Sequence, residues 1–295
     1  MKIGIDLGGT KTEGILIDND GKELTRKRIK TQKNYEGTIN GIKSIVNEFE
    51  SHFGVVDSIG VGMPGAVSAD SALVKNANSI WLNGQPLKKK LEEVLSRRVS
   101  LENDANCFAL SEAVDGAGQG QAVVFGVIIG TGVGGGIVVN QKILQGRNNI
   151  CGEWGHIALP NRTQDEIKYV NKCYCNREGC METYISGPGF SSCYNLRHNA
   201  NLDSHEIIKK YPKEEDSVRA LNLYVDHLAR GLSIVVNILD PDIIVLGGGM
   251  SNIGYIYESI NENLKKYVFT DKLHTKVVKN IHGDSGGVRG AAWLS

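Results

Sequence analysis

Two stretches of this 295-residue chain share one pattern, and that pattern restricts the possible folds more than any other feature. In each stretch a short apolar strand runs into a glycine-rich loop, which is followed by a second strand and a turn. The two copies are Ile3–Leu24 and Gly126–Leu144. In the first copy Asn19-Asp20-Gly21 is typical of a hairpin turn. The repeat predicts an α/β fold in which each copy heads its own domain.

The rest of the chain divides between these two domains. Helical spacing of apolar residues predicts a helix over Tyr35–Phe53 and a long one over Ser217–Leu239. The boundary is expected near Gly116–Gln121. We therefore predict a small N-terminal α/β domain over residues 1–118, joined by a C-terminal helix at 286–295. A large α/β domain is expected over residues 119–285, with an irregular cysteine-bearing loop at 151–182.

Composition excludes several classes of protein. The 33 basic and 33 acidic residues give zero formal net charge, which argues against bulk electrostatic binding of nucleic acid. The N-terminus enters a strand pattern directly and lacks the features of a signal peptide. No stretch reaches the roughly 18 apolar residues of a membrane span. These features predict a cytoplasmic protein, in which the 6 cysteines are not expected to form disulfides.

The first glycine loop has the chemistry of a phosphate site. In Asp6-Leu7-Gly8-Gly9-Thr10-Lys11 the glycines leave backbone N–H groups open to phosphate oxygens, and Thr10 and Lys11 add donors. The alternative is an ordinary hairpin turn. The sequence contains no G-x-x-x-x-G-K-[ST] motif, so this is not a P-loop.

The second loop matches the dinucleotide fingerprint G-x-G-x-x-G over Gly130–Gly135. That fingerprint requires a helix directly afterwards. The β-branched run Ile137-Val138-Val139 disfavours one. We therefore predict a second phosphate loop between two strands, and a nucleotide-dependent dehydrogenase is disfavoured.

An acidic residue lies between two asparagines in Leu101-Glu102-Asn103-Asp104-Ala105-Asn106-Cys107, ahead of a run of helix formers. One interpretation is that Asp104 or Asn103 is only a helix N-cap. The other is that Asp104 is a general base, stabilised as a carboxylate at the start of a helix. The stretch alone favours the cap, and both interpretations stay open at this point.

His156, Cys173, Cys175 and Cys180 form a Cys3His set that suits tetrahedral Zn²⁺. C-x-C-x4-C is not the commonest zinc spacing, and three core cysteines are the alternative. The polar residues around the set favour a metal that holds the loop. The other cysteines, Cys107, Cys151 and Cys193, are interpreted as small buried hydrophobes.

In combination these motifs resemble the ROK family (repressors, uncharacterised frames, kinases), whose kinases have the actin-like ATPase fold. The resemblance covers the whole chain. It is carried by Asp6–Lys11, Gly62–Gly65, Leu101–Cys107, Gly130–Gly136, Glu153-Trp154-Gly155-His156, Cys173-x-Cys175-x4-Cys180-Met181-Glu182, Leu246–Gly249 and Gly283–Gly290. The segment Asn76–Pro86 resembles the bacterial fructokinase (mannofructokinase) branch in particular.

The resemblance implies a two-domain ribonuclease-H-like fold and a set of ligand roles. ATP phosphates are expected on Asp6, Gly8, Gly9, Thr10, Lys11, Thr131, Gly132, Val133, Gly134 and Gly135, with Gly248 and Gly249 on the nucleoside side. The sugar is expected on Gly65, Asn78, Asn103, Asp104, Glu153, His156 and Glu182. Zn²⁺ on the Cys3His set is implied to be structural. Mg²⁺ is expected with ATP, with Asp6 as a water-mediated partner.

The resemblance implies an ATP-dependent hexose kinase in which Asp104 accepts the proton of the attacking hydroxyl. The predicted substrate is D-fructose, phosphorylated at its 6-hydroxyl, with mannose second. N-acetylglucosamine and glucose remain alternatives within the family. A sugar-responsive ROK repressor is disfavoured, because such proteins carry an N-terminal DNA-binding domain and this sequence starts at the first strand. A homodimer that binds neither nucleic acid nor membrane is expected.

Overall fold

The structure, a computed structural model, describes residues 1–283 and 286–294. Its strands are β1 (Lys2–Leu7), β2 (Lys11–Ile17), β3 (Glu23–Lys30), β4 (Ser58–Met63), β5 (Ala66–Val67), β6 (Val74–Lys75), β7 (Ser100–Asn103), β8 (Val123–Ile129), β9 (Val133–Val139), β10 (Lys142–Ile143), β11 (Ile243–Gly247) and β12 (Lys276–Lys279). Its α-helices are α1 (Tyr35–Phe53), α2 (Leu87–Leu95), α3 (Asp104–Asp115), α4 (Gln164–Lys168), α5 (Glu182–Ile185), α6 (Gly187–His198), α7 (Ser204–Lys210), α8 (Glu215–Leu239), α9 (Gly254–Lys265) and α10 (Gly286–Ala292). Short 3-10 helices cover Ile80–Leu82, Trp154–His156 and Gly249–Asn252.

Two five-stranded sheets have the same topology. Their strand orders are β3-β2-β1-β4-β7 and β10-β9-β8-β11-β12. In each sheet the first three strands of the chain are neighbours. The last two strands, β4 and β7 in one sheet and β11 and β12 in the other, are reached by crossovers and run parallel to β1 and β8 respectively. The repeat predicted from the glycine loops is therefore confirmed, and it extends to the two parallel strands of each sheet.

Contacts divide the chain into two compact units. One contains residues 1–120, 136–151 and 281–295, and the other contains residues 121–135 and 152–280. The domain limits expected from the sequence, residues 1–118 and 119–285, stay a prediction. Of the expected C-terminal helix, the described part is α10, and Ser295 lies outside the described residues. Asp284 and Ser285, in the predicted loop Gly283–Gly287, also lie outside them.

In the first unit, α1 covers one face of its sheet. The helix begins after Asn34, whose side chain accepts a hydrogen bond from the Gly37 N–H, and it ends at Gly54. Its buried apolar residues, among them Ile42 and Phe49, join a core with β1 and β4. The predicted bounds of this helix are confirmed because apolar spacing, N-cap and C-terminal glycine all agree.

The short helix α10 packs against β1, β4 and α3 at very close range. A Cβ atom on Gly290 would lie 1.6 Å from the Cys107 carbonyl oxygen, and one on Gly60 would lie 1.9 Å from the Ala291 oxygen. Glycine at both positions lets the backbones approach, and any side chain would force them apart.

In the second unit, α8 is the central helix. It starts two residues before the predicted Ser217 and ends at the predicted Leu239. The sequence analysis missed α6 and β12. Helix α6 begins Gly-Pro-Gly and has no strong apolar stripe, and β12 has four residues with lysine at both ends. Only packing and the hydrogen bonds of β11 stabilise such segments.

Candidate active site

The parallel strands of the first sheet bring three predicted site segments to one edge. Asp6 of β1 pairs with Gly62 of β4, and Met63 of β4 pairs with Asn103 of β7. The carboxyl ends of parallel strands meet at the same edge, where open α/β sheets bind their ligands. Asp6, the Gly62–Gly65 loop and the Asn103-Asp104 pair therefore lie together.

Asn103 is the N-cap of α3, and Asp104 is the first residue of that helix. The Asn103 Oδ1 atom accepts hydrogen bonds from the N–H groups of Ala105 at 2.9 Å and Asn106 at 3.4 Å. Its Nδ2 atom donates to the Gly65 oxygen at 2.8 Å. Asp104 is half-buried, and its Oδ1 atom accepts from the Ala105 N–H at 2.8 Å. The cap thus falls on Asn103, which leaves the Asp104 carboxylate at the positive end of a three-turn helix.

The pKa of Asp6 lies far above its usual value. Burial, followed by the nearby charges of Asp104 and Glu13, raises its pKa from 3.8 to about 7, against a smaller opposing effect of Arg28. A Cβ atom on Gly287 of α10 would lie 3.5 Å from the Asp6 Oδ2 atom. Two acidic groups that repel each other at one site are a common arrangement where a cation is to be bound.

The first glycine loop is a tight turn with its tip exposed. The Gly8 N–H donates to the Lys11 oxygen at 3.0 Å, which closes the turn between β1 and β2. Thr31 fixes the turn from the side, because its hydroxyl donates to the Gly8 oxygen at 2.8 Å and its N–H to the Thr10 oxygen at 3.0 Å. Thr10 and Lys11 are exposed. The predicted donors lie at the surface of a well-anchored loop.

Gly65 requires glycine for two reasons. Its φ is +80°, a left-handed conformation that side chains rarely adopt, and a Cβ atom there would lie 2.4 Å from the Lys75 oxygen. The chain that follows Gly65 runs through β5 and β6 to Asn78, which is exposed. Behind it, the Asn83 side chain bonds to both the N–H and the carbonyl of Ala77, each at 2.9 Å. The structure thus places Gly65, Asn103 and the segment before Asn78 side by side.

In the second unit the glycine loop contacts Glu182. The Val133 N–H donates to the Glu182 Oε2 atom at 3.0 Å, and the Gly187 N–H donates to the Gly130 oxygen at 2.8 Å. The prediction of a loop through Gly136 was wrong in extent, because β9 already starts at Val133. Of the predicted phosphate residues here, Thr131 and Gly132 lie in the turn, and Val133, Gly134 and Gly135 belong to β9. Glycine is needed at position 135, because a Cβ atom there would lie 2.8 Å from the Trp154 ring.

The Gly247–Gly249 segment lies beside the same turn. Gly248 has a φ of +82°, and a Cβ atom there would lie 2.7 Å from the Ile129 oxygen, at the end of β8. Gly249 has open space around its Cα atom. The predicted phosphate and nucleoside segments of this unit are therefore neighbours.

The predicted metal ligands converge. One ligand atom from each of His156, Cys173, Cys175 and Cys180 lies within 4.8 Å of all the others. The Cys173 Sγ atom is 3.7 Å from His156 Nδ1, and the Sγ atoms of Cys175 and Cys180 are 3.6 Å apart. A tetrahedral zinc with Zn–S bonds of about 2.3 Å has S–S edges of about 3.8 Å. These residues fit a zinc ion through Nδ1 of the histidine.

The metal loop also positions the two predicted glutamates, Glu153 and Glu182, and a tyrosine that was not predicted, Tyr174. Glu153 is exposed and directly precedes the 3-10 helix of His156, whereas Glu182 begins α5 two residues after Cys180. The hydroxyl of Tyr174 is 2.9 Å from the Nε2 atom of His156. Burial, then the carboxylates of Glu182 and Glu153, raise the pKa of Tyr174 to about 12. The signal available in the sequence was its position between two ligands, Cys173 and Cys175.

The interpretation of the other three cysteines was right only for Cys107. That side chain is fully buried, and burial raises its pKa well above the ordinary value. Cys151 and Cys193 are instead only half-buried. Burial raises the pKa of the Cys193 thiol to about 12, and the thiol donates to the Thr183 oxygen at 3.5 Å. None of the helices in the described residues is long and apolar enough to cross a membrane.

Named sequence relatives match this chain over almost their whole length. N-acetyl-D-glucosamine kinase of Yersinia pseudotuberculosis is 39% identical over 300 residues, covering 100% of this chain and 98% of the relative. The enzyme of that name from Vibrio parahaemolyticus is 38% identical, with coverage of 100% and 99%.

Solved structures agree. A ROK hexokinase from Thermus thermophilus has a TM-score of 0.88 at 28% identity, covering 100% of this chain and 98% of that one. A ROK family glucokinase from Streptomyces griseus, in complex with glucose and AMPPNP, has a TM-score of 0.79 at 28% identity with the same coverage. The ROK family model matches residues 2–295. The chain therefore belongs to the ROK family, with the two-domain actin-like ATPase fold of its sugar kinases.

Proposed function

We propose that this protein is an ATP-dependent hexose kinase that transfers the γ-phosphoryl group to the 6-hydroxyl of the sugar. The observation that carries the proposal is the placement of Asp104. It heads helix α3 behind an Asn103 cap, close enough to Asp6 to raise that residue's pKa. An ionised carboxylate at a helix start beside a glycine phosphate loop is a suitable general base for phosphoryl transfer.

Each predicted residue then has a chemical role. Asp104 accepts the proton of the attacking hydroxyl. Asp6 holds the magnesium ion of MgATP through a water molecule, and the N–H groups and exposed side chains of the first glycine loop contact phosphate oxygens. The residues Thr131 to Gly135 contact phosphates as well, with Gly248 and Gly249 on the nucleoside side. In such a reaction, positioning and charge neutralisation contribute most of the rate enhancement.

The sugar is proposed to bind Gly65, Asn78, Asn103, Asp104, Glu153, His156 and Glu182. Carboxylates suit this purpose because each oxygen accepts a hydrogen bond from a sugar hydroxyl. The Cys3His set is proposed to hold a structural zinc ion, which supplies no chemistry of its own but fixes the loop between Glu153 and Glu182. Both amide atoms of Asn103 also bond within the protein, so this residue in addition orients Asp104 and the Gly65 loop.

Two hexoses are candidates. The N-acetyl-D-glucosamine kinases that match the whole chain at 39% and 38% identity favour N-acetyl-D-glucosamine. The segment Asn76–Pro86, which resembles the fructokinase branch and packs on Gly65, favours D-fructose, with mannose as a second substrate. Specificity rests on pocket contacts that differ by only a few kcal/mol between sugars.

The test is ADP release by the purified protein with ATP, Mg²⁺ and a panel of N-acetyl-D-glucosamine, D-fructose, mannose and glucose. The proposal predicts turnover with at least one sugar, and a product phosphorylated at the 6-hydroxyl by NMR. Sugar binding without any turnover would instead favour a sugar-responsive regulator. Light scattering would test the further proposal of a homodimer.

A further inference from the structure

Tyr174 combines high exposure with a well-formed polar contact. Its side chain is 77% exposed, yet its hydroxyl is 2.9 Å from His156 Nε2. The two rings meet edge to face, with centroids 5.2 Å apart and an angle of 81° between their planes. An exposed tyrosine with no role would be free to adopt several rotamers, whereas this one is held over the imidazole.

The backbone of Tyr174 is held in place as well. The residue lies between Cys173 and Cys175 in a tight turn, in which the Asn176 N–H donates to the Cys173 oxygen at 2.9 Å and the Cys173 N–H to the Arg177 oxygen at 3.1 Å. Asn176, with a φ of +67°, completes the turn. A metal bound by the two cysteines would therefore fix the Cα atom of the tyrosine between them.

The proton positions follow from the tautomer of His156. Its Nδ1 atom faces Cys173 at 3.7 Å and is the atom that fits the metal, so Nε2 carries the ring proton and donates to the Tyr174 oxygen. The phenol proton then points away from the imidazole. Within the part of the chain that the structure describes, His156 is the one hydrogen-bond partner of this hydroxyl. The O–H group is thus an available donor, polarised by the N–H group behind it.

A hexose site needs such a donor. Glu153 and Glu182, the proposed sugar ligands on either side of the metal loop, offer carboxylate oxygens, which accept hydrogen bonds and do not donate them. They bind sugar hydroxyls, but they cannot bind an oxygen that has no proton. A ring oxygen and an acetamido carbonyl are such oxygens. Both glutamates belong to the loop that carries Tyr174, since Glu153 lies three residues before His156 and Glu182 two residues after Cys180.

We propose that Tyr174 is a further hexose-binding residue, whose hydroxyl donates to an oxygen of the sugar that carries no proton. This inference rests on the proposed function. Tyr174 is then a specificity determinant that favours a sugar with an acceptor oxygen at this position.

The experiment compares wild type with Tyr174→Phe, which keeps the ring and removes the donor. Steady-state kinetics with the best hexose should give a KM for the sugar raised about fivefold, the equivalent of about 1 kcal/mol for one net hydrogen bond. The KM for ATP and kcat should change by less than about twofold. Sugar binding without ATP, measured by calorimetry, should weaken by the same factor. Zinc content should equal that of wild type.

Tyr255→Phe is the matched control. It removes a phenol hydroxyl that bonds to Asn222 in the same unit, away from the metal loop, and should leave the sugar KM unchanged. An unaltered or lowered sugar KM in Tyr174→Phe would overturn the inference, and so would a raised KM accompanied by loss of zinc, since that indicates a structural role. A wild type that phosphorylates no hexose would instead reject the proposed function itself.

Discussion

Replacing Asp6 with asparagine should stabilise the fold and abolish activity together. The native carboxylate is expensive to ionise, because burial and the charges of Asp104 and Glu13 raise its pKa from 3.8 to about 7. That rise of about 3 units corresponds to about 4 kcal/mol at a pH where the group is ionised. Asp6 is partly exposed to solvent, so we expect about half of this, roughly 2 kcal/mol.

The pH dependence has a definite sign. Between pH 3.8 and about 7 the folded protein binds more protons at Asp6 than the unfolded chain does. Stability therefore falls as pH rises through this window, and the full cost of the ionised carboxylate is present above it. Asp6→Asn should then exceed wild type in unfolding free energy by roughly 2 kcal/mol at pH 8.5, and by much less at pH 5.

The assay is urea unfolding of both proteins at the two pH values, with kinase activity measured in parallel. Asp20→Asn, in the exposed turn after β2, is the control and should change neither quantity. Activity of Asp6→Asn should fall at least about a hundredfold if Asp6 has the proposed magnesium role, because an amide cannot replace a carboxylate as a partner of Mg²⁺. A variant less stable than wild type at pH 8.5, or a gain independent of pH, would refute the electrostatic argument.

Two further predictions concern the second unit. Removal of zinc by a chelator should weaken hexose binding at least about tenfold and lower the melting temperature, because the loop that holds Glu153 and Glu182 loses its metal. Calorimetry measures the hexose affinity, and thermal unfolding measures the melting temperature. Addition of zinc alone should restore both quantities. Glu166→Gln should cost about 3 kcal/mol of unfolding free energy, since it removes the buried carboxylate that pairs with Arg230 and leaves that guanidinium only the partly exposed carboxylate of Asp226 among the described residues. Burial opposes ionisation of Glu166, but hydrogen bonds from His227 and Arg230 hold its pKa well below the usual range. Wild-type stability from this group is therefore present above pH 4.5 and lost as pH falls through the lowered pKa, whereas the variant should show no such loss in acid unfolding curves.

The sequence predicted those features in which local signals agree. The apolar spacing, the N-cap and the terminal glycine of helix α1 all indicate the same helix bounds. The strand–glycine loop–strand unit occurs twice in the sequence. Both features were therefore predicted. The structure also answers a question that the sequence left open, because it makes Asn103 the N-cap of α3 and Asp104 the first residue of that helix.

The features that the sequence could not reveal depend on distant neighbours. Strand β12 has lysines at both ends and exists because β11 offers a parallel partner. The early start of β9 at Val133 depends on its neighbour in the sheet, although the glycines before it are typical of a loop. Tyr174 gains its significance from His156, 18 residues earlier, which no local pattern connects to it.

One measurement tests the central claim most directly: the rate of hexose-dependent ADP release by Asp104→Asn, compared with wild type at saturating ATP and sugar. If Asp104 is the general base, kcat should fall between about a hundredfold and ten-thousandfold. The melting temperature should stay close to wild type, because Asn103 rather than Asp104 is the N-cap of the helix. A kcat within a few-fold of wild type would contradict the account.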